Sequence, residues 1–249
     1  MAKNFLAMIL MVISASGCLA IRDVGTDASS VSSVSTPCTG TPFSGGSGTA
    51  LDPYQICNRA QLANIDTSGN NLAAAYIQTA DIDLAGCSAQ FTPIGTVNGT
   101  FSGIYDGGGY KIENFCYHQA SNGGDVTAFD STANAIGLFQ SSSGTLKNIT
   151  LATPTLVGNS FLGALVGNQV SGTIQDCLAY NVTITGAYER DGALVGQQSS
   201  GTITRSGAIG TVIAAWTSGG FVGASYGTVS QSFFCWNRYG CRRWSGRWR

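Results

Sequence analysis

The feature that most constrains this chain is a pair of short signatures that return together. Gly163-Ala-Leu-Val-Gly167 reappears as Gly192-Ala-Leu-Val-Gly196 and as Gly219-Gly-Phe-Val-Gly223, after a weaker copy at Gly137-Leu-Phe-Gln-Ser141. Each is followed by a second signature: Gly144-Thr-Leu, Gly172-Thr-Ile, Gly201-Thr-Ile and Gly227-Thr-Val. The leading glycines of the first set are 26, 29 and 27 residues apart, and those of the second 28, 29 and 26. A period of this length marks a solenoid, in which one repeat cannot bury its own apolar face and must stack on a neighbour.

Aligned on the glycines, the repeats give columns. Phe139, Leu165, Leu194 and Phe221 form one, and Leu146, Ile174, Ile203 and Val229 form another. Stacked strands hold equivalent residues about 4.8 Å apart, so an apolar column reads as a continuous ladder of core side chains. The column Lys147, Gln175, Thr204 and Ser230 shares only polarity and reads as solvent-facing. The glycines bracketing each apolar run suit corners, where the chain bends sharply. The runs are short, rich in Val, Ile, Thr and Phe, and interrupted by Gly and Ser, which leaves no room for helices of 10 or more residues. The expected fold is all-β, a parallel β-solenoid.

Composition agrees. Glycine supplies 34 of 249 residues and charged residues only 10%, a balance unlike a helical or a disordered chain. Residues 23 to 231 carry all 13 acidic side chains against five basic ones, a net of −8, while residues 232 to 249 carry five arginines and no acid. An acidic body does not attract nucleic-acid phosphates, so no nucleic-acid partner is expected.

Residues 1–17 read as a signal peptide, with Lys3 in the positive region and Phe5 to Ile13 as an apolar stretch too short to span a bilayer. Ala15-Ser-Gly-Cys18 resembles a lipobox, which implies lipidation of Cys18 and a membrane partner through the lipid. The other reading is an ordinary signal cleaved after Ala20, with Cys18 discarded. Leu19 after the cysteine favours the outer membrane by resemblance to enterobacterial lipoproteins. Residues 18–36 form a Ser-rich tether. Residues 37–75 read as an N-terminal cap that hides unpaired strand edges, with Leu62 and Ile65 on a short helix. Residues 76–232 are the solenoid. Residues 233–249 form an Arg- and Trp-rich tail outside the repeat register, read either as a C-terminal cap, as a contact for anionic lipid or polysaccharide, or as a truncated or frame-shifted end.

The ordered series Pro53-Tyr-Gln-Ile56, Gln61-Leu62, Asp81-Ile-Asp-Leu84, Pro93-Ile-Gly95, Phe101 through Ile112, Gly137-Leu-Phe139 and the repeated signatures resembles the GLUG-motif family of bacterial surface proteins over about Tyr54 to Ser232. The resemblance implies a secreted or surface-exposed right-handed β-helix, often a module of adhesins and sometimes an accessory part of immunoglobulin-cleaving metalloproteases. It describes a structural repeat and implies no single activity.

Chemistry-bearing residues are sparse. Asp81 and Asp83 stand at i and i+2, on one face of a strand, and with Asp106 they form the best acidic cluster; paired carboxylates serve glycoside hydrolysis or bind Ca²⁺. Since Asp-Ile-Asp-Leu belongs to the family signature, the resemblance favours a structural role. Asp106-Gly-Gly-Gly-Tyr110 lacks the Lys-Ser/Thr of a phosphate loop and reads as a turn. His118 is the only histidine, without His-Glu-x-x-His or Cys-x-x-Cys, so no metal, cofactor or catalytic residue is expected. Of the eight cysteines, Cys38 with Cys57 would staple the cap and Cys87 with Cys116 would join neighbouring rungs, while Cys177, in the column of Ile149, reads as a buried free thiol. The expected function is a lipid-anchored, surface-displayed binding or structural module, with adhesion to a host, cell or glycan surface. The alternatives are a carbohydrate-active β-helix enzyme, whose polar face would be Asn148, Asp176, Arg205 and Gln231, and a fragment of a larger surface protein. The contact surface would lie in the outward columns or in the irregular segments Ser121 to Asn134 and Tyr188 to Asp191.

Overall fold

The structure, a computed structural model, describes residues 38–67, 71–118, 135–216, 218–236 and 240–246. The expected signal peptide, Cys18, the expected tether and the segment Ser121 to Asn134 lie outside these residues. Parallel strands stack into a β-solenoid of about five turns. Helix is confined, among the described residues, to Arg59–Asn64 and two short 3₁₀ turns, and no helix there is long and apolar enough to cross a membrane.

Among the described residues, four parallel ladders of four or more strands run along the solenoid, beside a short parallel pair of Asp191–Gly192 with Ser218–Gly219. The first contains Tyr54–Ile56, Ala75–Gln78, Ile104–Asp106, Thr145–Lys147, Thr173–Gln175, Thr202–Thr204 and the start of Thr228–Trp236. Its inward column is Tyr54, Tyr76, Tyr105, Leu146, Ile174, Ile203 and Val229, each the register partner of the next. The second ladder aligns Ile82, Ile112, Leu151, Ala179, Ala208 and Phe234. The third aligns Tyr117, Leu156, Ile184 and Val212. The fourth is formed by Phe139–Ser142, Val166–Gln169, Val195–Gln198 and Val222–Ser225. These columns merge into one apolar core. Its N-terminal half is aromatic, with ring centroids 5.0 Å apart for Phe101 and Phe139 and 5.6 Å for Tyr105 and Phe139. The C-terminal half is mostly aliphatic, with Phe221 in the core and Phe234 packed against it.

In the fourth ladder the register differs by one residue from the glycine alignment. Phe139 lies opposite Val166, which continues to Val195 and Val222. Leu165, Leu194 and Phe221 stand one position earlier, in line with Leu138. The reason is that the run after Gly137 is one residue shorter, and ladder hydrogen bonds, such as Phe139 N–H to the Leu165 carbonyl (2.9 Å), set the pairing. Both residues of each pair are buried, so the apolar character of the run survives the slip.

The bracketing glycines also have a different cause from the one expected. Gly163 does not occupy the left-handed region; a β-carbon there would lie 2.4 Å from the Gly196 nitrogen of the next coil. Close backbone approach excludes a side chain. Gly172, in the second signature, is the genuine corner, with φ +74°. The corner after the first ladder is otherwise made by non-glycine residues: Asn148, Asp176, Arg205 and Gln231 all take φ between +46° and +54°. The N–H groups of the first three bond the next coil: Asn148 to the Gln175 carbonyl and Asp176 to the Thr204 carbonyl at 3.2 Å, and Arg205 to the Ser230 carbonyl at 3.3 Å. A second left-handed corner stacks Asn114, Thr153 and Asn181.

Inside the corners, buried amides and hydroxyls replace water. Gln169 donates to the carbonyls of Gly172 and Thr202, and Gln198 to those of Gly201 and Thr228. Cys177 N–H donates to Ser206 Oγ and Ser206 N–H to Ser232 Oγ, so the Ile149 column turns polar toward its end. These bonds satisfy the corner backbone groups they reach, each of which would cost about 1–3 kcal/mol if left unpaired.

The ends differ from the expected segment boundaries. Tyr54–Ile56, within 37–75, already pairs in parallel with Ala75–Gln78, so the ladder starts before residue 76. Ser44 and Gly45 bond its outer edge through Gln55. At the other end the strand from Thr228 runs past residue 232 to Trp236, with Phe233, Phe234 and Cys235 in register with Gly207, Ala208 and Ile209. Gly240–Gly246 then folds back on it as an antiparallel hairpin. Disulfides join Cys38 to Cys57, Cys87 to Cys116 and Cys235 to Cys241, and Cys177 is free and buried.

Candidate binding face

The acidic residues singled out by the sequence are each occupied by a turn of backbone. Asp81 Oδ1 accepts the Lys111 N–H at 3.0 Å. Asp83 Oδ1 accepts from Asn114 Nδ2 (2.9 Å) and the Ala85 N–H (2.8 Å), and these bonds hold its carboxyl below the usual range. Burial pushes the Asp106 carboxyl up, but Asn148 Nδ2 (2.9 Å), the Gly108 N–H (3.0 Å) and Lys147 Nζ (3.0 Å) outweigh it and keep the group ionised. Each carboxylate therefore serves its own corner. Asp176 and Arg205, on the polar corner column, are bound to each other through two hydrogen bonds of 2.7 Å. That geometry is a bidentate fork between adjacent coils.

Two further carboxylates escaped sequence reasoning. Asp66 is buried and accepts the N–H groups of Gly95, Val97 and Asn98 at 2.9–3.0 Å, shaping that turn. Asp191 is fully buried; its Oδ1 accepts the Leu162 N–H at 3.0 Å and its Oδ2 has no partner. Burial without a counter-charge raises its pKa to about 7. Neither position repeats at the solenoid period in a recognisable residue type, so no column flagged it.

A lateral polar group surrounds Arg190. Its guanidinium lies 5.2 Å from the Phe161 ring centroid, pairs with Glu189 at 3.3 Å and donates to Gln197 Oε1 at 2.7 Å. Gln197 continues to Ser199 and Ser199 to Asn168 Oδ1, which crosses two coils. Phe161 and Arg190 are equivalent corner residues, both with positive φ, and this brings the cation over the ring.

The last coil carries a different surface. A cavity of about 240 Å³ opens between this coil and the terminal hairpin, lined by Ser218, Gly219, Gly220, Phe221, Val222, Val229, Phe234 and Arg242. Phe234 and Arg242 are register partners across the hairpin, and both line the cavity. The same coil exposes Trp216 (78%), Tyr226 (69%) and Trp236 (61%). His118, finally, sits at the opposite end, with Nε2 3.8 Å from Cys87 Sγ.

Comparison with known proteins places this geometry in context. No protein-family model matches the chain. An alignment 158 positions long, which covers 59% of this chain and 2% of the length of the other protein, shows 34% identity to halomucin of Haloquadratum walsbyi (strain DSM 16790 / HBSQ001). The fold is similar to that of a candidate immunoglobulin A1 protease from Bacteroides ovatus, with a TM-score of 0.54 and 19% identity over 76% of this chain and 68% of that one. At that identity the likeness concerns the fold alone.

Proposed function

We propose that this chain is a surface-displayed binding module of the GLUG type, anchored by lipid at Cys18, whose contact surface is the last coil of the solenoid. The observation that carries the reading is the 240 Å³ cavity that sets Arg242 against Phe221, Val222, Val229 and Phe234. An apolar wall with one guanidinium matches a sugar ring bearing a carboxylate: the ring's C–H face packs on the apolar side and the carboxylate takes the cation. The exposed Trp216, Tyr226 and Trp236 of the same coil offer stacking platforms for further sugars. The proposed activity is adhesion to an acidic glycan. The engagement of Asp81, Asp83 and Asp106 in backbone turns supports a structural role for them over carbohydrate cleavage.

The test is a glycan array probed with the purified chain, together with binding of whole cells that display it. Glycans with sialic or uronic acids should bind and their neutral counterparts should not. Arg242→Ala should abolish that preference without moving the thermal transition. Equal binding by Arg242→Ala, or release of shorter sugars from the array, would overturn the reading.

A further inference from the structure

At the N-terminal end of the solenoid, three metal-ligating atoms converge that lie far apart in sequence. Cys87 lies on the 3₁₀ turn Gly86–Ala89, and Cys116 and His118 lie at either end of the strand Cys116–His118. The turn covers the strand's outer edge and is fixed there twice. Gln90 Oε1 accepts the His118 N–H at 2.9 Å, and Arg59 donates to the carbonyls of Ala89 and Gln90 at 2.7 and 3.2 Å. Cys116 and His118 stand at i and i+2, so they share a face of the strand. As a result Cys87 Sγ, Cys116 Sγ and an imidazole nitrogen of His118 lie within 4.8 Å of one another. Cys87 and His118 are exposed, and Cys116 is buried beneath them.

We propose that these residues form a redox-gated zinc site, closed while Cys87 and Cys116 are joined and opened by a thiol reductant. The dimensions support it. Zinc binds thiolate sulfur at about 2.3 Å and imidazole nitrogen at about 2.0 Å, which puts tetrahedral ligand atoms roughly 3.4–3.8 Å apart. The Cys87 Sγ–His118 Nε2 distance is already 3.8 Å. The two cysteine Cα atoms are 4.9 Å apart, so the sulfurs reach zinc spacing by side-chain rotation once their bond is cut.

The chemistry balances. A dithiol reductant attacks one sulfur of the Cys87–Cys116 bond, and its second thiol then releases the other. The reductant leaves as a disulfide, and two electrons and two protons pass to Cys87 and Cys116. Zn²⁺ then displaces both thiol protons and takes the lone pair of neutral His118, with water in the fourth position.

The test uses the full-length chain, reduced by a phosphine that is then removed under argon, and titrated with Zn²⁺ against a chromophoric chelator. Co²⁺ serves as the spectroscopic probe. Reduced protein should bind one equivalent at least 100-fold more tightly than oxidised protein, and its Co²⁺ form should show thiolate charge-transfer and tetrahedral d–d bands. Cys87→Ser should lose both. His118→Ala, an exposed change whose folding is checked by circular dichroism, should weaken binding at least tenfold and shift the d–d bands. Reducing Cys38→Ser or Cys235→Ser protein should leave the site intact, which separates it from the other thiols. Zinc affinity of the reduced chain no greater than that of Cys87→Ser, or an unchanged affinity and spectrum in His118→Ala, would overturn the proposal.

Discussion

Individual residues in this protein are defined by what the neighbouring coil offers them. Asp191 is the clearest case. Among the described residues its enclosed carboxyl is bonded by a single N–H and matched by no cation, and its pKa stands at about 7 against an ordinary 3.8. For a group raised in the folded state, the unfolded chain gives up its proton first. Stability is therefore fully present below about pH 4 and is lost as pH rises through about 7. We expect the melting temperature to fall between pH 5 and pH 8, with a loss on the order of 2–4 kcal/mol, and Asp191→Asn to flatten that slope. A wild-type profile parallel to that of the variant would refute the assignment. Cys177 gives a second expectation. Burial pushes its thiol up to about 12. Iodoacetamide at pH 8 should leave it unmodified in the native chain and label it on unfolding, as mass spectrometry of the peptide would show. The buried free thiol was readable from its column, whereas Asp191 was not, because it occurs once and interrupts no repeat.

At the scale of the strand, the solenoid is held by apolar ladders and by backbones brought too close for side chains. Gly163→Ala would place a methyl 2.4 Å from backbone atoms of both Gly196 and Val166, where nothing flexible can yield. The expected destabilisation is about 2–4 kcal/mol by urea titration, larger than for an alanine at a solvent-exposed strand position. A change below about 0.5 kcal/mol would mean that the coils are less tightly stacked than drawn. The ladder Leu146, Ile174, Ile203 and Val229 was legible because its spacing followed the glycines. The neighbouring one was legible only to within a residue, since Phe139 pairs with Val166 and not with Leu165. Burial of both candidates concealed the difference from any pattern of apolar and polar residues. The left-handed corner was hidden for another reason. Asn148, Asp176, Arg205 and Gln231 share a backbone conformation but, beyond polarity, no side-chain property, and only the first two are types that favour it.

Over the whole molecule, stability of a solenoid is a sum of coils and their interfaces, so cross-links act according to where they lie and how much chain they close. Cys87–Cys116 spans 29 residues and Cys235–Cys241 spans six. Replacing the first pair by serine should cost about 3–4 kcal/mol, and the second about 2 kcal/mol. Hydrogen exchange should further show that loss of Cys235–Cys241 frees Gly240–Gly246 while Thr145–Lys147 stays protected. The reverse order of effects would show that loop closure is not what these bonds contribute. The terminal hairpin also revises the reading of the Arg- and Trp-rich end. Phe233 to Cys235 continue the ladder, and Arg242 lines a cavity together with Phe234.

The division between sequence and tertiary structure follows from how a solenoid is built. A ladder needs the same kind of residue at the same place in every coil, so the all-β class, the parallel stacking and the inward column from Leu146 to Val229 were present in the sequence as a period. Contacts between coils depend instead on where each turn closes, and here the turns take between 26 and 29 residues. A partner therefore cannot be counted along the chain. Register at Phe139, the buried Asp191, the Arg190–Phe161 stack and the meeting of Cys87, Cys116 and His118 were decided only when the coils were laid on one another, because that is the step at which distant residues acquire neighbours.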